Sequence, residues 1–149
     1  MTAHQRNFST PIDPVKLDRL AEVAVKVGLQ LQAGQDLLLT APTVALPLVR
    51  RIAEHAYKAG AGIVTPILSD EAITLSRYRF GSDQSFDRAA SWLYDGMAKA
   101  FAGNTARLAI VGDNPMLLAG EDPARVSRAS LSSTSPPCIG ARGSCPGCR

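Results

Sequence analysis

The 149-residue chain contains no cysteine before position 138 and only two histidines, His4 and His55. A structural zinc site needs four ligands, usually cysteine and histidine, so residues 1–137 lack the composition for one. The sequence also has no Walker phosphate loop, no GxGxxG turn, no GxSxG nucleophile elbow and no HExxH pair. These absences argue against a nucleotide-binding, serine-hydrolase or zincin site in this chain.

Long apolar segments are missing as well. No stretch approaches the roughly 18 apolar residues that a bilayer crossing requires. Residues 1–11 are polar and lack the apolar core of a signal peptide. We therefore expect a cytoplasmic protein with no membrane partner, and we expect residues 1–11 to be flexible.

Excess basic charge is confined to the C-terminal end. The formal net charge is +3, with 46% hydrophobic and 19% charged residues, which are ordinary values for a globular protein. Arg142 and Arg149 are the only charged residues after position 129, so the preceding residues carry a net charge of +1. This nearly neutral body argues against a nucleic-acid partner.

The composition changes near residue 130. From Ser130 onward the chain is rich in serine, proline, glycine and cysteine and poor in aliphatic residues. Such a segment cannot bury enough apolar surface to offset its ordering entropy, so we expect residues 130–149 to be disordered. The spacing of Cys145 and Cys148 fits a metal knuckle or a redox pair, but the tail lacks a fourth ligand and a following helix. We interpret the tail as unrelated to the function of the body.

Residues 12–129 alternate helical and strand patterns. Apolar periodicity and capping residues predict helices at 13–28, 44–59, 69–79 and 91–101, and strands at 36–41, 62–68 and 106–112. Asp122-Pro123 predicts a last helix that the tail cuts short after one or two turns. The order predicts an α/β fold with a small, mostly parallel sheet of about three strands and helical crossovers, incomplete without a C-terminal domain.

Four residues set the expected boundaries of these elements. Gly28 ends the first helix and Gly60 caps the end of the second. Ser69 caps the start of the third helix. Pro66 indicates that the later half of the second strand lies at a sheet edge or a bulge.

Aromatic and basic side chains are interpreted as structural. We expect the aromatic residues of the second half to be core or helix-packing anchors: Phe86, Trp92, Tyr94 and Phe101. His55 borders the apolar stripe of the second helix, which predicts a half-buried ring bonded to a backbone group. The cluster Arg77-Tyr78-Arg79 is typical of a solvated helix end.

Polar residues follow two of the predicted strands. Asp70 and Glu71 come after strand two, and Asp113 and Asn114 come after strand three. Ligands in open α/β sheets gather at the carboxyl ends of the strands, so these four residues are candidate contacts for a cation or a substrate amine. Helix capping and turn chemistry explain each of them equally well.

Four segments of the chain resemble a known family. Residues 13–42, 45–61, 69–80 and 106–129 resemble, in the same order, the N-terminal domain of the M29 family of metal-dependent aminopeptidases. The resemblance implies an α/β domain of a cytosolic dimer that removes N-terminal residues from peptides. It also implies two divalent metals, zinc or cobalt, one of which activates a water while both stabilise the developing oxyanion.

The resemblance does not extend to the family's catalytic residues. Family members bind their metals through glutamates, histidines, a tyrosine and an aspartate of a larger C-terminal domain that has no counterpart here. We therefore expect no catalytic residue, no metal ligand and no cofactor in this chain, and no peptidase activity of its own. Our hypothesis is that a frameshift near residue 130 replaced the remainder of the protein.

Two other functions remain open at this point. One is an independent α/β module that binds a small ligand near Asp70 and Asp113. The other is a fragment that forms a homodimer or associates with an intact subunit, unless it is unstable and cleared by proteases. Peptide substrates are expected in full-length relatives only.

Overall fold

The chain folds into five α-helices and three β-strands within residues 12–112 and 114–134, the part that the structure, a computed structural model, describes. Of residues 131–134 it describes the helix backbone alone. The helices are α1 (Pro14–Val23), α2 (Leu46–Lys58), α3 (Glu71–Phe80), α4 (Ser91–Ala102) and α5 (Pro123–Thr134), and the strands are β1 (Asp36–Pro42), β2 (Val64–Ser69) and β3 (Thr105–Ala109). The expectations for residues 1–11 and 135–149 lie outside the described residues.

The three strands form one parallel sheet in the order β2-β1-β3. In the centre of β1, Leu38 lies opposite Thr65 of β2 and Arg107 of β3. Each crossover between parallel strands contains a helix, so the predicted α/β class is confirmed. Pro66, which cannot donate to a neighbouring strand, lies in the edge strand β2 as predicted.

The main core lies between the sheet and the pair α1 and α2. Alternate residues of β1 point to this side, and both Leu37 and Leu39 are fully buried. They pack with Ile52 of α2 and with Val25, which lies in the helical turn after α1. Fully burying one side chain of this size contributes about 1.5–3 kcal/mol, so this layer supplies much of the folding free energy.

The end of the first helix differs from the prediction. Gly28 does not end it, because a π-helical turn, Ala24–Leu29, continues α1. Gln30 ends this turn in the left-handed conformation with φ 49°, and its N–H donates to the carbonyl of Val25. Gly60, with φ 91°, does follow α2 as predicted, because a side chain is strained in that conformation.

A second, smaller core joins α3, the short 3-10 helix Asp83–Asp87 and α5. Its centre is Phe86, which is fully buried and stacks on Tyr78 with the ring centroids 5.5 Å apart. Two guanidinium groups, those of Arg77 and Arg125, lie 5.7 and 5.4 Å from the centre of the Phe86 ring. In the cluster Arg77-Tyr78-Arg79 both arginines are exposed, as expected for a solvated helix end, but Tyr78 belongs to this core.

Helix α5 is longer than predicted. It runs for 12 residues, to Thr134, and includes residues 130–134, for which disorder was expected. Ion pairs attach its first half to the 3-10 helix: Arg125 lies 2.8 Å from Asp83, and Arg128 pairs with Asp87. The Arg128 guanidinium lowers the pKa of the Asp87 carboxyl below its ordinary value. These contacts hold the first half of the helix in place, and the helix continues past the point where the composition changes.

Two aromatic expectations are wrong, and two strands are shifted. Trp92 is 74% exposed and Phe101 is 38% exposed, so neither is a core anchor. α4 covers part of the second face of the sheet, and Trp92 lines the groove between the two. β2 begins two residues later than predicted. β3 ends at Ala109, before the predicted end at residue 112, although the N–H of Ile110 still donates to the carbonyl of Thr40, 2.8 Å away.

None of the described helices is long and apolar enough to span a bilayer.

Candidate functional site

The carboxyl ends of the three parallel strands meet at one edge of the sheet, where Asp70 begins α3. Its Oδ1 accepts hydrogen bonds from the N–H groups of Ala72, at 2.9 Å, and Ile73, at 3.2 Å. Asp70 is thus the N-cap, and the prediction that Ser69 has this role is wrong. Ser69 is still paired with Pro42 as the last residue of β2, so it cannot take the cap position.

The second oxygen of Asp70 connects two loops of this edge. Its Oδ2 accepts a hydrogen bond of 2.8 Å from Oγ1 of Thr43, the residue directly after β1. The Thr43 hydroxyl, followed by the N–H groups of Ile73 and Ala72, lowers the pKa of the Asp70 carboxyl. Sequence reasoning missed Thr43, because nothing in the local pattern links residues that are 27 positions apart.

Glu71 and Asn114 meet across the same edge. The backbone N–H of Asn114 donates to Oε1 of Glu71 over 3.1 Å. The side-chain oxygen of Asn114 accepts from the N–H of Met116 at 3.0 Å, which stabilises the turn after β3. The structure therefore brings two of the four candidate residues into contact, while Asp70 bonds to Thr43. Asp113 lies outside the described residues.

The hydrogen bonds of the edge determine what it can do chemically. Both oxygens of Asp70 and one of Glu71 accept hydrogen bonds from the chain itself. Bonds of this kind hold the loops after β1, β2 and β3 in fixed positions. The edge is thus organised as a structural link between these loops, and a ligand of Asp70 would compete with its internal donors.

His55 also bonds to a side chain. Its Nε2 lies 3.1 Å from Oδ1 of Asp18, which joins α2 to α1, and only 12% of its side chain is exposed. The prediction of a backbone partner is therefore wrong, because α1 crosses α2 with Asp18 on the facing side. The ring is half-buried as predicted, and its bond to Asp18 accounts for this position.

Comparison with known proteins identifies the family. The profile of a family described as thermophilic metalloprotease (M29) matches residues 14–136, most of the chain. The chain belongs to this family. This result confirms the resemblance noted in the sequence.

Family relatives are much longer than this chain. Aminopeptidase T of Thermus thermophilus is 43% identical over 113 residues, which are 76% of this chain and 28% of the relative. Aminopeptidase T of Thermus aquaticus is 46% identical over 113 residues, 76% of this chain and 28% of the relative. Aminopeptidase 2 of Geobacillus stearothermophilus is 38% identical over 115 residues, 77% of this chain and 28% of the relative. The chain thus spans less than a third of the length of these relatives.

A solved family structure supports the fold. Wild-type AmpT from Thermus thermophilus matches with a TM-score of 0.77 and 42% identity, over 79% of this chain and 30% of that chain. At this identity and score the three-stranded α/β arrangement is shared by the two proteins.

The family description, metalloprotease, implies a bound metal ion, and a metal ion needs several donor side chains close together. Within residues 12–112 and 114–134, no three His, Cys, Asp or Glu side chains lie close enough together to hold a metal ion. The carboxylates of the carboxyl edge accept hydrogen bonds from the chain itself. The described residues do not fit a metal centre, and we derive no catalytic step through one.

Proposed function

We propose that the chain is the N-terminal α/β part of an M29-type aminopeptidase and acts as a scaffold with no peptidase activity of its own. The internal bonding of the carboxyl edge carries this proposal. Asp70 caps α3 and binds Thr43, and Glu71 binds the N–H of Asn114, so the acids hold loops together. In a scaffold these bonds keep the edge rigid, and they occupy both oxygens of Asp70 with donors of the chain itself.

An activity measurement tests this function. The purified chain is incubated with zinc or cobalt and a leucyl-amide substrate, with aminopeptidase T of Thermus thermophilus as the positive control. We expect leucine release from the control alone. Metal-dependent turnover by the chain would contradict the proposal, and its loss in Asp70→Asn would assign that activity to the carboxyl edge.

The remaining properties of the family are proposed for the assembled enzyme. We infer that peptide substrates and a pair of divalent metals, zinc or cobalt, bind to the part of M29 proteins that this chain does not span. We also propose a cytoplasmic location and association as a homodimer or with an intact subunit. Sedimentation of the chain with and without full-length aminopeptidase T tests the association, and unchanged sedimentation in the mixture would argue against a mixed complex.

A small-ligand site at the carboxyl edge is the second candidate function. The hydrogen bond between Glu71 and Asn114 favours it, because it brings the loops after β2 and β3 together. Asp70 and Asp113 would complete the proposed contacts. A ligand that raises the thermal midpoint of the wild type, and does so equally in Asp113→Ala, would count against this site.

We further propose that the reading frame changes in the segment after α5. The rise in serine, proline, glycine and cysteine after residue 130 supports it. The family match extends to residue 136 and α5 to Thr134, so the change would lie a few residues later than the composition suggests. Translation of the coding DNA in the other two frames is the test, and the idea fails if neither frame gives a family-like continuation.

A further inference from the structure

A groove of about 310 Å³ lies between α4 and the face of the sheet opposite the main core. Leu38 and Ile67 of the sheet and Trp92, Leu93 and Met97 of α4 form its apolar walls. Leu38 points to this side because it alternates along β1 with the core residues on either side of it. The volume is near the lower end of the range for ligand pockets, roughly 300–1,000 Å³, so the groove suits a group the size of one amino acid.

A single carboxylate gives this groove its charge. Among the described residues, Asp36 is the only charged one that lines it. The Oδ1 of Asp36 accepts a 2.9 Å hydrogen bond from the N–H of Ile63, which fixes the orientation of the carboxylate at the start of β1. No lysine or arginine of residues 12–112 and 114–134 forms an ion pair with it. A cation near Asp36 would therefore gain Coulomb energy without displacing an internal cation.

The rim and floor of the groove leave room for a ligand. Trp92 stands at the rim with 74% of its surface exposed, and large exposed aromatic side chains are common anchors of binding sites. Gly96 lines the groove next to it, and a Cβ built on this glycine would have no other atom within 4 Å. The space beside α4 is thus open and not filled by neighbouring side chains.

We propose that this groove binds a small hydrophobic amine. The aromatic or branched aliphatic part lies between α4 and the sheet, beside Trp92 and Met97, and the ammonium group faces Asp36. The site lies at the amino end of β1, whereas the carboxyl-edge residues lie at the other end of the strands. It is therefore independent of the scaffold function proposed above.

Trp92 is the only tryptophan of the sequence, so tryptophan fluorescence reports on this groove alone. The test titrates the purified protein with phenethylamine, phenethyl alcohol and phenylacetate at millimolar concentrations. We expect a saturable change in Trp92 fluorescence, with phenethylamine binding about fivefold more tightly than the alcohol, the size of effect expected for a partly exposed charge pair. Phenylacetate should bind most weakly, because its charge repels Asp36.

Substitutions locate the site and separate its two parts. Gly96→Leu should abolish the response to all three compounds by filling the groove, whereas Gly96→Ala should retain it. Asp36→Asn should remove the preference for the amine, since its amide oxygen can still accept from Ile63. Asp95→Asn removes an exposed charge of α4 that does not line the groove, and it should behave as the wild type. Phenylacetate binding as tight as that of phenethylamine, no saturable response, or an unchanged response in Gly96→Leu would each overturn the proposal.

Discussion

The second core gives the most direct quantitative test of the fold. Phe86→Ala removes a fully buried ring that stacks on Tyr78 and lies beneath two guanidinium groups. Burial of the ring contributes about 1.5–3 kcal/mol, and the aromatic pair adds about 0.5–1.5 kcal/mol. With the cavity that alanine leaves behind, we expect the free energy of unfolding to fall by about 3–5 kcal/mol. For a domain of this size, which has a total stability of about 5–15 kcal/mol, such a loss is severe.

Urea denaturation followed by circular dichroism measures this loss, and amide hydrogen exchange shows where it acts. We expect α5 to exchange faster in Phe86→Ala, because Val126 and Ala129 pack against the same core. Phe80→Ala is the matched control: this ring is 84% exposed, so its removal should change stability by about 0.5 kcal/mol or less. A loss below about 1 kcal/mol in Phe86→Ala, or equal losses in both variants, would refute the assignment of a second core.

Two further predictions concern the ends of helices. The pKa of Asp70 is lower in the folded chain than its ordinary value, so its ionised form adds stability at pH above that value, and this stability is lost as the pH falls through the lowered pKa. Asp70→Asn should therefore be less stable than the wild type at neutral pH and should lose less stability on acidification. Thermal midpoints measured across a pH series test this, and midpoints of the two proteins that fall in parallel with pH would contradict it. Gly60→Ala should cost about 1–2 kcal/mol in urea denaturation, because Gly60 has φ 91° and a Cβ there would lie 3.2 Å from that of Ala33. Unchanged stability would show that the backbone relaxes at no cost.

The order of helices and strands could be predicted because local signals determine it. Consecutive residues encode both the apolar run of β1 and the Asp13-Pro14 start of α1, and the structure contains both. The predicted bounds of helices and strands were less reliable where two neighbouring residues can both cap the same helix. Ser69 and Asp70 are both good caps, and the pairing of Ser69 in β2 decides between them.

Contacts between distant residues could not be predicted in the same way. The bond between Thr43 and Asp70 and the bond between Glu71 and Asn114 join positions 27 and 43 residues apart. The parallel sheet brings the carboxyl ends of its strands together, which is why the sequence could place Glu71 and Asn114 at one edge. It could not show which donor each oxygen binds, and this pairing determines whether the edge is a structural link or a free site.

The length of α5 shows why composition alone misplaced the end of the folded body. Residues after 129 were expected to be disordered because a serine-rich segment with few aliphatic residues cannot bury enough apolar surface to offset its ordering entropy. The helix is stabilised instead through its first half, where Arg125 and Arg128 pair with Asp83 and Asp87. Once these turns have formed, the addition of a further residue to the helix requires only propagation, which costs much less free energy than nucleation. The family match also extends past residue 129, to residue 136, so the change in composition near residue 130 marks neither the end of α5 nor the end of the family segment.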